Sequence, residues 1–591
     1  MIGALHRRSS RPEPPAPPGP VAAVTGAAGL DRRALGLHVA VVAIALGLWG
    51  IGVVGADGRE PTAYGLLDVL PAWWYAAPAL LGAGFVAAAT ARHRPPAWLL
   101  WAHVGALIVV LHATVPVLFE EPRFAWSVKH VGPAELLGAT GGVDRSIDIY
   151  NNWPGFFALA SWISEATGVA LMDLARWSQP AFAALFAAAA AFAARSVLRD
   201  ERLVLAAVWV FVAANWVGQD IFAPQAPAFV LAMLLLGLVL RSAREPSGGA
   251  PSALRSGGTL VAVTIVWVAL VVTHQLSPVL VLASLTVVTV VTRRLPLWVP
   301  LAFAAVEVAW LLQAWSWLDD NVDLFSPSVA PSARPEGFNG EQALAGYDLA
   351  TLARLGAAAT VVLAAVVGAV RRRKAIGRAE PAVYAVVLVP AAVVLVQRYG
   401  GEGPLRAYLF ALPFVAALAV AACAPRGTLR PRRLGVLVAL LLAAAPAALF
   451  GLELGSRVGP EDLRVAAWLE RAIPAGSARV YPSDVAARET TAGYARLADG
   501  PLLLLSREEK YLGADWGADT ARMLDEDLRS FGAPAAYVVF TPGQERYLSL
   551  YGLVPDGAPQ RLAWALLATG RYAIAHKDGD AVVLRRVTPA A

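Results

Sequence analysis

Apolar runs of about 20 residues, the length a helix needs to cross hydrocarbon, recur along this chain between short polar breaks. They lie near residues 35–55, 71–91, 97–117, 175–197, 203–221, 223–241, 259–274, 277–292, 297–316, 350–370, 381–397, 405–424 and 434–454. The pattern predicts about 13 membrane-spanning helices. The runs within 203–241 and within 259–292 are divided only by short polar breaks, so their separation is the least marked. After residue 455 long apolar runs stop and charge rises. There Glu461–Ala472 predicts a helix and Ala478–Tyr481 a strand. Residues 523–532 predict a helix ended by Gly532, and 535–542 a buried strand. Residues 571–587 alternate and turn at Asp578-Gly579, a hairpin signal. The expected fold is an all-α polytopic transmembrane bundle over 34–455, followed by a small α/β domain over 456–591 that can bury its own core.

Composition agrees with this pattern. The 591 residues are 57% hydrophobic and 16% charged, where a soluble chain would carry about 25% charged residues. Charge then orients the spans. Arg92 and Arg94, then Arg195, Arg199 and Arg202, then Arg241, Arg244 and Arg255 fall in alternate loops. So do Arg293 and Arg294, Arg371 to Lys374, and Arg426 to Arg433. Cytoplasmic loops carry such cations. The chain is therefore expected in the cell membrane as a multi-pass protein, with its N-terminus cytoplasmic and its C-terminal domain extracytoplasmic. The net charge of +6 reflects this bias and predicts no nucleic-acid partner. Residues 1–33, rich in Pro, Ala and Arg, predict a disordered cytoplasmic tail, and no cleavable signal peptide is expected. Cys423 is the single cysteine, which excludes an intrachain disulfide and a thiolate metal site.

With that topology the candidate chemistry falls on the external side. Its first large loop spans 118–152 and opens with Glu120-Glu121, where an apolar helix ends. A solvated loop start explains such a pair, and so does a base at the edge of hydrocarbon. Pro154–Gly168 is an amphipathic stretch too short to cross, with Trp153 and Trp162 for interfacial anchoring. Asp148, Tyr150, Asn151 and Asn152 can hydrogen-bond a sugar or order their own loop. Asp220 and Gln225 mark the outer tips of adjoining spans in 215–225, and His274 and Gln275 lie in a tight break at 273–278. Lys129 with His130, and Arg398 with Glu402 and Arg406 in 397–408, offer charge to a phosphate; headgroup contact explains the arginines equally. Asp319, Asp320 and Asp323 form an acidic cluster on a long loop at 317–349, read as solvated or as cation-binding. Glu307 stands inside a span, where an acid pairs or lines a cavity.

The segment FEEPRFAWSVKHVG resembles the first external loop of the GT-C glycosyltransferases, polytopic enzymes that take sugars from polyprenyl-phosphate carriers. That family has an Asp-Glu pair just after a span, then a small residue, Arg, an aromatic and Ala. Here Glu120 takes the Asp place, Glu121 the Glu, Arg123 the Arg and Phe124 the aromatic. DIYNNWPGFFALASWISEATGV is similar to the family's next segment, with Tyr150 and Trp153-Pro154 in the matching places. The likeness covers roughly 97–200. Two features depart from it: Glu replaces the usual Asp at 120, and two spans precede the one that leads into the loop.

The resemblance implies transfer of a sugar from a polyprenyl-phosphate donor to a glycan, lipid or protein acceptor of the cell envelope. Glu120 becomes the first candidate for general base and Glu121 the second. Arg123, Lys129, Asp148, Tyr150, Asn152, Asp220, Gln225, His274, Arg398, Glu402 and Arg406 become substrate-binding candidates, with membrane lipids as further partners. It leaves a divalent cation, Mg or Mn, open and requires no other cofactor. The contrasting expectation is a transporter or flippase of lipid-linked saccharides, motivated by Glu307 and the many spans. No internal repeat or matched pair of broken helices supports transport in the sequence.

Overall fold

A computed structural model describes residues 32–244, 257–293, 295–321, 341–372, 380–396 and 403–587. The expected tail lies outside the described residues except for Arg32 and Arg33, with which the first helix begins. The membrane part contains α1 (Arg32–Ala56), α2 (Ala72–Ala89), α3 (Ala97–His112) and α4 (Thr114–Leu118). Short helices of the first loop follow: α5 (Ala125–Lys129), α6 (Val131–Thr140), α7 (Ile149–Asn152) and α8 (Gly155–Thr167). Next come α9 (Leu171–Arg195), α10 (Glu201–Ala214), α11 (Gln225–Arg244), α12 (Gly257–Thr273), α13 (Ser277–Thr292) and α14 (Trp298–Asn321). The bundle closes with α15 (Glu341–Arg372), α16 (Glu380–Val396), α17 (Gly403–Cys423) and α18 (Pro431–Phe450).

Each apolar run contains a helix, yet among the described residues 8 helices are long and apolar enough to cross a membrane by length and composition. Those are α1, α2, α9, α11, α14, α15, α17 and α18. Two shortfalls have local causes. Pro116 has no N–H for the carbonyl of His112, so the helix breaks at Ala113 and restarts as α4. Thr114 secures that break, accepting from the indoles of Trp49 at 3.0 Å and Trp74 at 3.2 Å. The expected span 203–221 stops at Ala214, because Gly218 takes a left-handed φ of 69° and Pro224 precedes the next helix. Conversely, no breaker stands at 317, so α14 continues to Asn321, and α15 begins at Glu341. The expected loop 317–349 is shorter at both ends for that reason.

Helix α10 is buried from Leu203 through Ala214 and forms the axis of the bundle, against α3, α9, α17 and α18. Close backbone approach joins α15 to α17: a Cβ on Gly368 would lie 1.9 Å from the carbonyl oxygen of Leu418. Helix α8 buries Phe156, Phe157 and Ala160 and exposes Leu159 and Trp162, the amphipathic division expected of an interfacial segment. Gly168, at φ 72°, terminates it.

After α18 come α19 (Glu453–Ser456), α20 (Pro460–Ala472), α21 (Ala518–Ser530), α22 (Pro542–Leu550) and α23 (Ala558–Ala568). They pack with β1 (Ala478–Tyr481), β2 (Leu502–Leu504), β3 (Ala536–Phe540), β4 (Tyr572–Asp578) and β5 (Ala581–Arg586). The sheet order is β2-β1-β3-β5-β4. Strands β2, β1 and β3 run parallel, and the β4–β5 hairpin adds antiparallel to β3. Leu524, Leu528, Leu562 and Leu566 cover one face, and Val465 and Leu469 of α20 cover the other. Asp525 ties the edge: it accepts from Arg529, Arg571, Arg586 and Tyr572. Burial raises its pKa, but the hydrogen bonds from Arg586 and Arg571 outweigh that and hold it at about 2.

Candidate active site

The loop that opens with Glu120 is anchored by a buried polar chain at the helix ends nearest the C-terminal domain. His112, the last residue of α3, places Nδ1 3.0 Å from Asp220 Oδ2. Gln179 of α9 donates to Asp220 Oδ1 at 3.3 Å and accepts from Arg123 Nη1 at 2.9 Å. Arg123 then donates to Glu453 Oε2 from Nε at 3.0 Å and from Nη2 at 2.8 Å, and to the carbonyl of Leu449 at 2.5 Å. Its guanidinium also lies over Phe124 and Phe450. The Arg123 and Glu453 side chains are 5% and 2% exposed, so this is an ion pair shielded from water. These bonds tie the loop to the end of the last membrane helix.

Just before that anchor, the backbone leaves α4 extended at Phe119 and exposes Glu120. Glu121 is half-buried, with Oε2 4.0 Å from Arg457 Nη2. Arg457 stacks over the Phe119 ring at 3.9 Å and donates to Glu60 at 2.5 Å. The two glutamates therefore differ. Glu121 faces a cation held on the opposite wall, whereas Glu120 stands in solvent.

Farther along the loop, Lys129 lies over the rings of Trp126 and Tyr150, with Nζ 3.4 Å from Glu489 Oε1. Glu489 comes from the C-terminal domain. Burial lifts its carboxyl above the usual range, Asp148 adds to the rise, and Lys129 and Arg488 oppose it. His130 donates from Nδ1 to the carbonyl of Phe222 at 2.8 Å. Burial, with Lys129 beside it, lowers its pKa to about 3, so the ring is neutral. His274 Nδ1 accepts from the N–H groups of Leu276 at 3.2 Å and Ser277 at 3.1 Å, which leaves its proton on Nε2. Burial, Arg406 and His130 keep His274 uncharged. Arg406, in the first turns of α17, is buried within electrostatic reach of that ring.

The C-terminal domain closes over this loop. Glu470 accepts from the backbone and hydroxyl groups of Thr490 and Thr491, which shapes the segment carrying Glu489. The Glu489 carbonyl accepts from Gly132 N at 2.7 Å, and Ala492 N donates to Glu135 at 3.2 Å. Only glycine fits at 132, because a Cβ there would lie 2.3 Å from the Glu489 oxygen. Asp148 caps α7 by accepting from Asn151 N at 2.8 Å, and it receives the Tyr494 hydroxyl at 2.8 Å. Asn152 donates to the carbonyls of Arg145 and Asp148, both at 2.9 Å. Behind them, Gln225 is 3% exposed, and neither atom of its amide has a hydrogen-bond partner among the described residues. The Oδ1 atoms of Asn152 and Asn215 are in the same position. Such groups need water or a polar ligand.

No protein-family model matches the sequence, and no curated protein sequence matches it. Solved membrane-enzyme structures are similar in shape. The oligosaccharyltransferase of Archaeoglobus fulgidus, tethered to an acceptor peptide, aligns over 81% of this chain and 72% of its own at 12% identity and TM-score 0.48. ArnT from Cupriavidus metallidurans aligns over 94% of this chain and 100% of its own at 14% identity and TM-score 0.42. The arabinofuranosyltransferase AftD from Mycobacteria aligns over 95% of this chain and 42% of its own at 14% identity and TM-score 0.39. At these identities and scores the likeness assigns neither activity nor substrate to this chain.

Among the described candidates, Lys129, Asp148, Tyr150 and Asn152 share the first loop, while Asp220, Gln225, His274 and Arg406 sit at the helix ends on the same side of the bundle. Arg398, Glu402 and Asp323 lie outside the described residues. Asp319 is exposed at the end of α14, and Asp320 follows it in the same helix. Glu307 is buried in α14, and its Oε2 accepts no hydrogen bond among the described residues. Among the described residues no three His, Cys, Asp or Glu side chains gather as a metal donor set. Sequence reasoning missed His112, Gln179, Glu453, Arg457 and Glu489. None of them stands in a recognisable motif, and each takes its role from the partner that the fold brings to it.

Proposed function

We propose that this chain is a GT-C-type membrane glycosyltransferase. It transfers a sugar from a polyprenyl-phosphate donor to a glycan, lipid or protein acceptor on the outer face of the cell membrane. The observation that carries the reading is the clamped first loop. It presents Glu120 to solvent and is held between the C-terminal domain and a floor of buried polar side chains that includes the unpartnered Gln225.

In this reading Glu120 accepts the proton of the acceptor hydroxyl as that oxygen attacks the anomeric carbon. The bond from the anomeric carbon to the phosphate oxygen breaks, and polyprenyl phosphate leaves with the electron pair. A positioned base contributes about 10²–10⁴-fold. Arg457, paired with Glu60 and facing Glu121, fixes the segment that carries both glutamates. Lys129, Arg406 and the Nε2–H of His274 stabilise charge developing on the departing phosphate. Gln225, Asn152 and Tyr150 orient the sugar. Asp148 and Asp220 act through the loop, by holding Tyr494 and Gln179.

The test is a transfer assay with purified protein in vesicles, supplied with radiolabelled sugars on polyprenyl phosphate and an envelope-lipid extract as acceptor. The reading expects a new glycosidic bond and release of polyprenyl phosphate. Movement of the donor across the bilayer with no new bond would overturn it in favour of transport.

A further inference from the structure

We infer that the end of the bundle opposite the C-terminal domain carries a binding site for an anionic glycerophospholipid. A groove of about 540 Å³ opens there between α15, α17 and α18. Its wall is apolar and faces outward: Leu363 and Val367 of α15 and Val436 of α18 are 65%, 42% and 61% exposed. Its mouth carries Arg371, Arg432 and Arg433.

Arg371 and Arg433 are held in place by a backbone carbonyl. The carbonyl of Ala422, at the C-terminal end of α17, accepts from Arg371 Nη1 at 2.7 Å and from Arg433 Nη1 at 3.4 Å. Each guanidinium has five N–H donors, so most remain available. Among the described residues no carboxylate pairs with Arg371, Arg432 or Arg433. Arg426 and Arg430 precede them in the same connection and add positive field.

This combination selects the occupant. An apolar wall continuous with the lipid-facing surface accepts an acyl chain, and guanidinium groups at its mouth accept a phosphodiester. A zwitterionic lipid satisfies the wall but brings its own cation to the arginines. A soluble phosphate satisfies the arginines but leaves the apolar wall in contact with nothing it prefers. The site is independent of the glutamate loop, because α18 separates it from Phe450 and Arg123 by its full length.

The test uses the full chain purified in detergent and read by native mass spectrometry. It is titrated with phosphatidylglycerol, with phosphatidylcholine of the same acyl chains, and with glycerol 3-phosphate. Phosphatidylglycerol is expected to be retained at least five-fold over phosphatidylcholine. The Arg371→Gln/Arg433→Gln variant is expected to lose that preference, about five-fold. Val367→Trp fills the groove and is expected to reduce phosphatidylglycerol retention while the melting temperature in detergent alone stays at the wild-type value. That melting temperature also checks folding of the arginine variant. Equal retention of the two lipids by the wild type would overturn the inference. So would unchanged preference in the arginine variant, or displacement of bound lipid by equimolar glycerol 3-phosphate.

Discussion

Cutting the Arg123–Glu453 pair should loosen the first loop from the last membrane helix. The two side chains are 5% and 2% exposed, and Arg123 makes two hydrogen bonds of 3.0 Å or less to Glu453 Oε2. Arg123→Met leaves Glu453 as a buried unpaired carboxylate, and Glu453→Leu leaves Arg123 as a buried unpaired guanidinium. Either should destabilise the protein by about 3–5 kcal/mol. Arg123→Met with Glu453→Leu removes both charges and keeps similar volume. It should lie within about 2 kcal/mol of the wild type, once the lost bonds to Gln179 and Leu449 are allowed for at about 1 kcal/mol each. The coupling energy should therefore be about 4 kcal/mol or more. The assay is equilibrium unfolding in mixed dodecyl maltoside and SDS micelles, read by tryptophan fluorescence. The double variant should also retain donor binding, since these donors face protein. Single variants that lose less than about 1 kcal/mol, or a double variant as unstable as the sum of the singles, would refute the anchoring role.

Gly132→Ala drives a Cβ against the Glu489 carbonyl and breaks the 2.7 Å bond from Gly132 N. It should destabilise the docked C-terminal domain by about 1–3 kcal/mol, seen as faster hydrogen exchange at 131–135 and 487–492. Asp525 has its folded pKa at about 2, below the ordinary 3.8, so its contribution to stability is present above pH 3.8 and lost as pH falls through 2. The loss should be at most about 2 kcal/mol, and Asp525→Asn should flatten that part of the acid-unfolding curve of the C-terminal domain. Lys129→Met should lower kcat for transfer by about 10-fold or more while KM for the donor changes less, because the charge it meets develops during the reaction.

The helical architecture was legible because span length and the alternation of cationic loops are properties of local sequence. Breaks inside the runs were legible only in part. Pro116 and Gly218 are visible in the sequence, yet whether each kinks, ends or merely bends a helix depends on partners such as Trp49 and Trp74, which are far away in sequence. In the C-terminal domain the hairpin turning at Asp578-Gly579 follows from alternation and turn chemistry. Strand β2, only Leu502–Leu504, carries too short a pattern to be recognised and exists because β1 offers it an edge. At the site, the motif placed Glu120 and Glu121 in one loop but could not distinguish them. What separates them is Arg457, more than 300 positions later in the chain. Arg123 shows the reverse: its place in the motif suggested a ligand contact, and Glu453, 330 residues away, gives it a structural partner.

The measurement that bears most directly on the central claim is transfer by the glutamate variants. Wild type, Glu120→Gln, Glu121→Gln and the double variant are compared in vesicles with the same radiolabelled polyprenyl-phosphate sugar, after circular dichroism confirms equal folding. The account predicts that Glu120→Gln lowers kcat by about 10²–10⁴-fold while donor binding persists, and that Glu121→Gln falls between it and the wild type. Full transfer by the double variant would contradict the account, because no carboxylate at the head of the first loop would then be needed to take the acceptor's proton.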